Sequence, residues 1–401
     1  MAIIEIPLLA DHHSHPLLYA TLQQAVDLSG VTDLDSASDQ IWEAAAPQGG
    51  LVLAFGWKDH EFKIPTARLE QLPPLALFNV SLHQLLLNRA GERLLAERYG
   101  NAVSQIRDRD WYESHLPTVL SWFANLAGSA SHLVSFYEQL EQLGVWSAEE
   151  MLLAGEREIE WFDAAGLLDR TKFWAAPETY NQLSSNAKKQ VEGLKLFTDG
   201  ALGAHSAALW TPYQTGHSSR ENRGILIYTD PQLQSELHAA SSTGKSIAIH
   251  AIGDRAIEQV ISSLEEIGPS IHPFPQIRLE HVQFIDLTQA ERAKQMGITL
   301  SMQPNFNIDS HHYQDRLPEG YAERNNPFRM LIDQAGYEPG VDLILGSDGM
   351  PHGATFALEQ SLYPPFESQG LTLVEFQAAY GSDSNELFRT EIQPPDRGET
   401  D

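Results

Sequence analysis

The sequence predicts an α/β fold, specifically a (β/α)8 TIM barrel. Short runs rich in Ile, Val, Leu and Phe end in polar residues and precede longer helix-like segments, a pattern typical of parallel strands joined by helices. Residues able to bind a metal close several of these runs, and such barrels place their sites at the C-terminal strand ends. The 401 residues, 42% of them hydrophobic, are enough for one barrel-sized core.

Eight strands are predicted along the chain. They lie at Ile3–Asp11, Gly144–Trp146, Lys172–Ala176, Gly193–Asp199, Ser246–Ile252, Ile277–Gln283, Ile298–Gln303 and Asp342–Asp348. The clearest helices follow the later strands, begin near an acidic residue and show apolar residues at helical spacing. They are predicted at Asp230–Thr243, Asp254–Ile267 and Asp286–Met296.

Residues 24–141 do not fit a single β/α step, so we expect one barrel over residues 1–401 with an insertion after the first strand. The insertion contains two strand-like runs, Leu51–Gly56 and Leu75–Val80, and helical patterns near Leu82–Tyr99 and Leu116–Leu143. An insertion of this size beside the first strand is expected to roof the site.

Composition excludes several classes of function. The formal net charge of −28 argues against nucleic acid and anionic membrane surfaces, which require basic patches. The absence of cysteine excludes disulfides, cysteine-rich zinc sites and a thiol nucleophile. The N-terminus lacks the basic region of a signal peptide, and no apolar run approaches the length of a membrane span. We therefore expect a cytoplasmic protein.

Four histidines occupy positions suited to metal binding. His13 and His15 are two residues apart at a strand end, so their side chains share one face and can reach one ion. His250 and His281 each close an apolar run, one β/α unit apart. The structural alternative is that each imidazole only binds a loop carbonyl at its strand end.

A carboxylate and a lysine complete the candidate donors. Asp348 ends the last predicted strand, where it could bind metal and accept a proton, or else cap the following segment. Lys195 lies inside an apolar strand, and its ammonium group would repel a cation. Carboxylation by carbon dioxide would convert it into a bidentate anion able to bridge two ions, whereas the alternative is a buried lysine paired with an acid such as Asp199.

Together these segments resemble the amidohydrolase superfamily, and within it amidohydrolase family 3, the YtcJ-like branch. The resembling segments are DHHSH (11–15), GLKLFTDGALG (193–203), IHAIGDRA (249–256), LEHVQ (279–283), SMQP (301–304) and LGSD (345–348). They extend over nearly the whole chain and occur in the family's order, which is far more specific than any one of them alone.

The resemblance implies a metal-dependent hydrolase of the barrel type. It implies that His13, His15 and Asp348 hold one divalent ion, that His250 and His281 hold a second, and that carboxylated Lys195 bridges them. Zinc is expected first, with manganese or iron suited to the same donors. Water activated by the metal would attack a carbonyl or amidine-like carbon, with Asp348 and His281 as the catalytic residues and Asp348 as the proton shuttle.

The resemblance also implies substrate contacts at Trp57 and His83 of the insertion, with Gln303 and His312 as further candidates. Two departures from the family stand out. His205 occupies a position where the branch commonly has arginine, and too few residues flank the barrel for the usual β-sandwich, which is therefore reduced or absent. Apolar surface left exposed by that reduction favours a homodimer.

Three functions are consistent with the sequence. The first is hydrolysis of a non-peptide C–N bond in a small molecule, such as an N-acyl or N-formyl amide. The second is a mononuclear deaminase of the same superfamily, in which Lys195 remains an amine. The third is a catalytically silent member that acts as a regulatory or binding protein.

Overall fold

We analysed a computed structural model of the protein that describes residues 2–45, 50–58, 61–79, 82, 84–214, 221–268, 274–382 and 384–392. The strands are β1 Ala2–Pro7, β2 Leu9–Ser14, β3 Val26–Asp27, β4 Val52–Trp57, β5 Leu75–Asn79, β6 Leu85–Leu87, β7 Val145–Glu150, β8 Thr171–Ala175, β9 Val191–Phe197, β10 Ser246–Ala251, β11 Ile277–His281, β12 Thr299–Met302, β13 Leu343–Leu345 and β14 Leu387–Ile392.

The α-helices alternate with these strands through most of the chain. They are α1 Pro16–Leu22, α2 Leu34–Glu43, α3 Thr66–Leu69, α4 Arg89–Tyr99, α5 Arg109–Ser114, α6 Leu116–Ala127, α7 Ala130–Gln142, α8 Glu156–Ala164, α9 Pro177–Gln182, α10 Ala187–Gln190, α11 Asp230–Ser241, α12 Asp254–Ile267, α13 Leu287–Gln295, α14 Asp309–His312, α15 Phe328–Asp333, α16 Ala354–Leu362 and α17 Leu373–Ala379. Among the described residues, none of these helices is long and apolar enough to cross a membrane.

The chain divides into two compact units, residues 1–16 with 133–401 and residues 17–132. In the first, eight strands form one sheet in the order β2, β7, β8, β9, β10, β11, β12, β13, and every hydrogen-bonded pair of neighbours is parallel. This order follows the chain, as a (β/α)8 barrel requires. The predicted fold is therefore confirmed.

The first and last barrel strands, β2 and β13, share no regular ladder of hydrogen bonds. Single contacts close the barrel between them. The Asp348 N–H donates to the His13 carbonyl at 2.7 Å, and the Ser347 N–H donates to Asp11 Oδ1 at 2.8 Å. Gly346 packs so closely here that a Cβ on it would lie 2.4 Å from the His13 nitrogen. These contacts bring the segment around His13 beside the segment that contains Asp348.

Local sequence accounts for the outer helices of the barrel. Capping boxes begin α11 (Thr229 with Gln232) and α13 (Asp286 with Gln289), which satisfies backbone N–H groups that a first turn leaves unpaired. Helix α12 ends at Ile267 and is capped by Gly268, whose φ of +61° suits a residue without a side chain. Strand β10 is buried at all six positions, as expected for a strand covered on both faces.

The predicted first strand, Ile3–Asp11, is wrong in one respect, because the structure divides it into β1 and β2. Only β2 belongs to the barrel, while β1 pairs antiparallel with β14 in a separate two-stranded ribbon. Pro7 ends β1, since proline has no N–H with which to continue a ladder. The sequence predicted that the family's β-sandwich is reduced or absent. The described residues contain this two-stranded ribbon in place of a sandwich.

Residues 17–132 form a unit with its own core. The insertion predicted from the sequence spanned residues 24–141. Strands β3, β4 and β5 are parallel, and β6 pairs antiparallel with β5. The predicted helix at Leu116–Leu143 is wrong as a single element, because it breaks at Gly128 into α6 and α7. Val80 lies outside the described residues.

Candidate metal centre

All six predicted metal donors lie at or near the C-terminal ends of barrel strands. His13 belongs to β2 and His15 follows it, Lys195 lies in β9, His250 in β10, His281 ends β11, and Asp348 follows β13. Parallel strands place these ends at one mouth of the barrel. The imidazole rings form a chain with centroid distances of 4.5 Å from His250 to His281, 4.6 Å from His281 to His13 and 5.7 Å from His13 to His15.

Three donors converge on one point. One ligand atom each from His13, His281 and Asp348 lies within 4.8 Å of the other two. Burial alone would raise the pKa of Asp348, but the neighbouring His13 and His15 imidazoles outweigh it and hold that pKa well below its ordinary value. The three residues therefore present two imidazoles and an ionised carboxylate to a common centre.

His15 lies on the other side of the same carboxylate. Its Nε2 is 3.2 Å from Asp348 Oδ1, and its Nδ1 is 3.8 Å from Glu150 Oε1. Burial lowers the pKa of His15, but the Asp348 and Glu150 carboxylates outweigh it and raise that pKa to about 9. A second negative group thus lies behind the imidazole, at a distance beyond that of a hydrogen bond.

His13 is fixed from the inside of the barrel. Its Nδ1 lies 2.6 Å from Glu280 Oε2, and both side chains are buried. Burial lowers the pKa of His13 to about 4, with the nearby Lys195 amine acting in the same direction. The imidazole therefore donates its Nδ1–H to Glu280 and presents the unprotonated Nε2 to the site, the state that a metal ligand requires.

His281 faces the site because the strand ends in an unusual backbone conformation. Glu280 points into the barrel interior, so regular alternation would turn His281 outward. Instead φ is +71° at His281 and +41° at Val282, a left-handed conformation that is uncommon outside glycine. Its Nδ1 lies 2.8 Å from Gln303 Oε1, and burial, together with the His250 imidazole, lowers its pKa well below the ordinary value.

His250 is held through its Nε2, which lies 3.1 Å from the Gly200 carbonyl and 3.3 Å from Asp199 Oδ1. Asp199 is itself fixed by the backbone N–H groups of Ala208, Ile252 and Gly253 at 2.9 to 3.0 Å. Since the Nε2–H is used in this way, Nδ1 is the nitrogen of His250 with a lone pair to offer. Asp199 thus pairs with His250, whereas the alternative reading of the sequence paired it with Lys195.

Lys195 is buried with 1% of its surface exposed, and its Nζ has no hydrogen-bond partner among the described residues. The Nζ lies 5.2 Å from the centre of the Phe197 ring. Burial lowers the pKa of Lys195 to about 8, although the Glu280 and Asp348 carboxylates oppose this effect. An amine that is buried without a hydrogen-bond partner is unusual, and a carboxyl group added to Nζ would suit these surroundings better than the ammonium does.

The donors fit a divalent metal. His13, His250 and His281 each engage one nitrogen with a protein acceptor and leave the other available, which is the arrangement of histidines that bind metals. The donors are all nitrogen and oxygen, which zinc, manganese and iron accept. The orphaned Lys195 Nζ is the one donor that fits only after it gains a negative group.

The predicted substrate contacts have different surroundings. Gln303 is fully buried behind His281, and His312 is exposed on α14. Trp57 is 4% exposed in the core of residues 17–132, where its Nε1–H donates to the Phe62 carbonyl at 3.0 Å. His83 lies outside the described residues. Substrate roles for these four residues stay predictions.

Sequence analysis missed the residues that support the donors. Arg278 and Glu280 lie two residues apart on β11, so both point into the barrel, and this spacing is visible in the sequence. His352 follows Asp348 by a short loop, and its Nε2 lies 2.9 Å from Ser14 Oγ. Its pKa is lowered to about 3 by burial, and no signal in the sequence around it marks it as part of the site.

Comparison with known proteins identifies the family of the chain. A family model described as the amidohydrolase family matches residues 6–358. Among curated proteins, the chain is 26% identical over 345 residues to a Bacillus subtilis (strain 168) protein named as an amidohydrolase, YtcJ. It is 23% identical over 350 residues to the Arabidopsis thaliana protein LONG AFTER FAR-RED 3. Each match covers 76% of this chain, but only 63% and 59% of those relatives, so the chain spans about three fifths of their length.

Solved structures with the same fold include two uncharacterised metal-dependent hydrolases. The one from Pyrococcus horikoshii OT3 has a TM-score of 0.69 and 22% identity, with 94% of this chain and 80% of that chain covered. The one from Pyrococcus furiosus has a TM-score of 0.67 and 20% identity, with 98% and 88% covered. At this level of identity the likeness establishes the fold.

Proposed function

The chain belongs to the amidohydrolase family, and from that premise we propose that it is a metal-dependent hydrolase of a non-peptide C–N bond in a small molecule. An N-acyl or N-formyl amide is the proposed substrate class. Support comes from the family, from the donors at the barrel mouth and from the active-site position that (β/α)8 barrels share.

The observation that carries the proposal is the convergence of His13, His281 and Asp348. Their ligand atoms lie within 4.8 Å of one another, close enough for one ion to contact all three. Two of the three residues are buried, and uncompensated buried polar groups are costly. A divalent cation would bind the imidazole lone pairs and offset the Asp348 charge.

Further donors support a second ion. His250 would offer Nδ1 beside His281, and His15, after it loses its proton, would offer Nε2 beside Asp348, so the donors extend to both sides of the central three residues. Lys195 would bind metal after its neutral amine attacks carbon dioxide, which forms an N–C bond and releases one proton to water. The product is a carbamate anion, and a pKa of about 8 for Lys195 favours this step because more of the amine is neutral near pH 7 than at an ordinary lysine.

A bound divalent metal would supply Lewis acidity, which polarises the substrate carbonyl and makes the attacking water more acidic. Asp348 would act as the general base, because it is ionised and lies with His13 and His281 around the common centre. It would accept the proton of the attacking water and return it to the leaving nitrogen. Gln303 and Glu280 would keep His281 and His13 in the tautomers that leave Nε2 unprotonated.

Three groups converge among the residues that the structure describes, and this number also favours a second candidate, the mononuclear deaminase. In that case one ion would be held by His13, His281 and Asp348, and Lys195 would remain an amine. The mass of intact protein in bicarbonate buffer separates the two candidates, because carboxylation adds one carbon dioxide to Lys195. Metal counted per chain gives an independent answer.

The test is hydrolysis of a panel of N-acyl amines, N-formyl amines and lactams by protein loaded with zinc, manganese or iron. We expect activity that is lost in the His250→Ala variant and on treatment with a chelator. Thr171→Val provides a matched control, because it removes buried hydrogen bonds at the opposite end of β8. Purified protein that binds no divalent metal would refute the proposal, and tight ligand binding without turnover would favour a regulatory member of the family.

A further inference from the structure

The barrel interior beneath the site contains a buried guanidinium between two carboxylates, which we call the brace: Arg278, Glu149 and Glu280. We propose that Arg278 is a positioning residue, and that the brace sets the orientation and tautomer of His13. This inference rests on the proposed metal site and adds to it a residue that contacts no donor directly. None of the brace side chains is more than 7% exposed.

One arm of the brace acts on the His13 side chain. Arg278 Nε–H donates to Glu280 Oε1 at 2.8 Å, and Glu280 Oε2 accepts from His13 Nδ1–H at 2.6 Å. Both oxygens of Glu280 are thus used, one for the guanidinium and one for the imidazole. Burial would raise the pKa of Glu280, but Arg278 and His13 outweigh it and hold that pKa well below its ordinary value.

A second arm acts on the backbone of the same strand. An Arg278 NH2 group donates to the His12 carbonyl at 2.7 Å, directly before His13. Another Arg278 nitrogen donates to Glu149 Oε2 at 2.6 Å, and Glu149 Oε1 lies 3.0 Å from His12 Nδ1. The position of His13 is therefore determined both through its imidazole and through the residue that precedes it.

Further contacts anchor the brace to other strands. The Trp174 Nε1–H donates to Glu149 Oε2 at 2.7 Å, and an Arg278 NH2 group donates to Ser301 Oγ at 3.1 Å. Together with the first two arms, these bonds connect β2, β7, β8, β11 and β12 across the barrel interior. Few side chains other than arginine could form all of these hydrogen bonds, because the planar guanidinium group holds several donors in a fixed fork.

Two roles for Arg278 make different predictions. If it only neutralises two buried carboxylates, then lysine at this position keeps the charge and the metal site is unaffected in the folded protein. If it positions His13 by geometry, then lysine fails, because an ammonium cannot reach both carboxylates and the His12 carbonyl with a planar fork. Supporting residues behind metal-binding histidines typically change metal affinity 10- to 100-fold when lost.

The experiment compares wild-type protein with Arg278→Lys, Glu280→Gln and the control Thr171→Val. Zinc affinity is measured by competition with a chromophoric chelator, with folding of each variant confirmed by circular dichroism. We expect about 10- to 100-fold weaker zinc binding in Arg278→Lys and Glu280→Gln, and wild-type affinity in Thr171→Val. Equal affinity in wild type and folded Arg278→Lys would overturn the positioning role.

A second measurement needs no metal and separates this inference from the proposed function. The His13 Nδ1–H in a buried bond to a carboxylate gives a low-field proton signal in 15N-histidine-labelled apoprotein, assigned by its loss in His13→Asn. We expect that signal to move or vanish in Arg278→Lys and to remain in Thr171→Val. If wild-type protein binds no zinc, the proposed function fails, and an unchanged signal in Arg278→Lys would separately refute the brace.

Discussion

Lys195 gives the sharpest prediction, because in the metal-free protein it is destabilising. Its Nζ is buried and has no hydrogen-bond partner among the described residues, and burial lowers its pKa to about 8. Lys195→Met replaces the side chain with an uncharged one of similar length and shape. We therefore expect Lys195→Met to stabilise the apoprotein near pH 7 and to weaken metal binding.

The pKa of Lys195 sets the size of the effect. A decrease from the ordinary value of 10.5 to about 8 corresponds to roughly 3.5 kcal/mol against the ammonium form, since each pKa unit is worth about 1.4 kcal/mol. That value already includes the attraction of Glu280 and Asp348, because both carboxylates contribute to the same pKa. Lys195→Met should thus raise the free energy of unfolding of the apoprotein by up to about 3.5 kcal/mol at pH 7.

The pH dependence has a definite sign. Between pH 8 and about 10.5 the unfolded chain holds a proton on Lys195 that the folded chain has lost, so wild-type stability rises with pH across this window. The penalty is complete below pH 8 and disappears above the upper limit. Lys195→Met removes the group, and its advantage over wild type should shrink as the pH rises through the window.

Urea unfolding of chelator-treated protein measures this free energy, and repeating it with zinc and bicarbonate tests the metal. Wild type should gain about 2.7 kcal/mol when free zinc is 100 times its dissociation constant, whereas Lys195→Met should gain less. An apo Lys195→Met that is less stable than wild type, or one that retains wild-type zinc stabilisation, would refute the reasoning. Lys189→Met, at an exposed lysine of α10, is the control.

Three other substitutions test the surroundings of the site. Gly346→Ala places a Cβ 2.4 Å from the His13 nitrogen and should abolish zinc binding, so unchanged zinc stoichiometry would contradict the closure described above. Asp199→Asn replaces one of the two carboxylate oxygens that accept three backbone N–H bonds. It should lower the free energy of unfolding, measured in urea, by about 1.5 to 3 kcal/mol. A loss under about 0.5 kcal/mol would argue against a structural role for these bonds. Asp309 has a pKa raised to about 7 by burial, with only a partial counter-effect from Gln283, so folding keeps it protonated. Asp309→Asn should therefore gain stability over wild type as pH rises from 4 to 7, at about 1.4 kcal/mol per pH unit, and a difference independent of pH would contradict this.

The sequence predicted where the candidate donors lie, because strand ends are visible in it; their role as metal ligands stays a prediction. An apolar run that stops at a histidine or an aspartate marks both the strand and the edge of the barrel at which its last side chain lies. His250 and Asp348 were found in this way, and the barrel order followed from repeated strand and helix patterns. The helix Asp254–Ile267 has the same bounds in the structure as in the prediction, because glycines flank it.

What supports the donors was harder to predict. Arg278 and Glu280 bind partners on β2 and β7 that are more than 100 residues away, and a periodic pattern carries no information about such pairs. The left-handed backbone at His281 was also hidden, since alternation alone turns that side chain away from the site. The division of the first predicted strand was missed because Ile3–Asp11 reads as one apolar run, although Pro7 lies within it.

The proposed function requires that His13, Lys195, His281 and their neighbours bind divalent metal at the barrel mouth. Anomalous scattering, recorded at the zinc absorption edge from crystals of zinc-loaded protein, locates the bound ions. We expect two peaks with added density on Lys195 Nζ between them, with His13 bound through Nε2 and His250 through Nδ1. Zinc density only outside this cluster, or none at all with Asp348 and the imidazoles unligated, would contradict it.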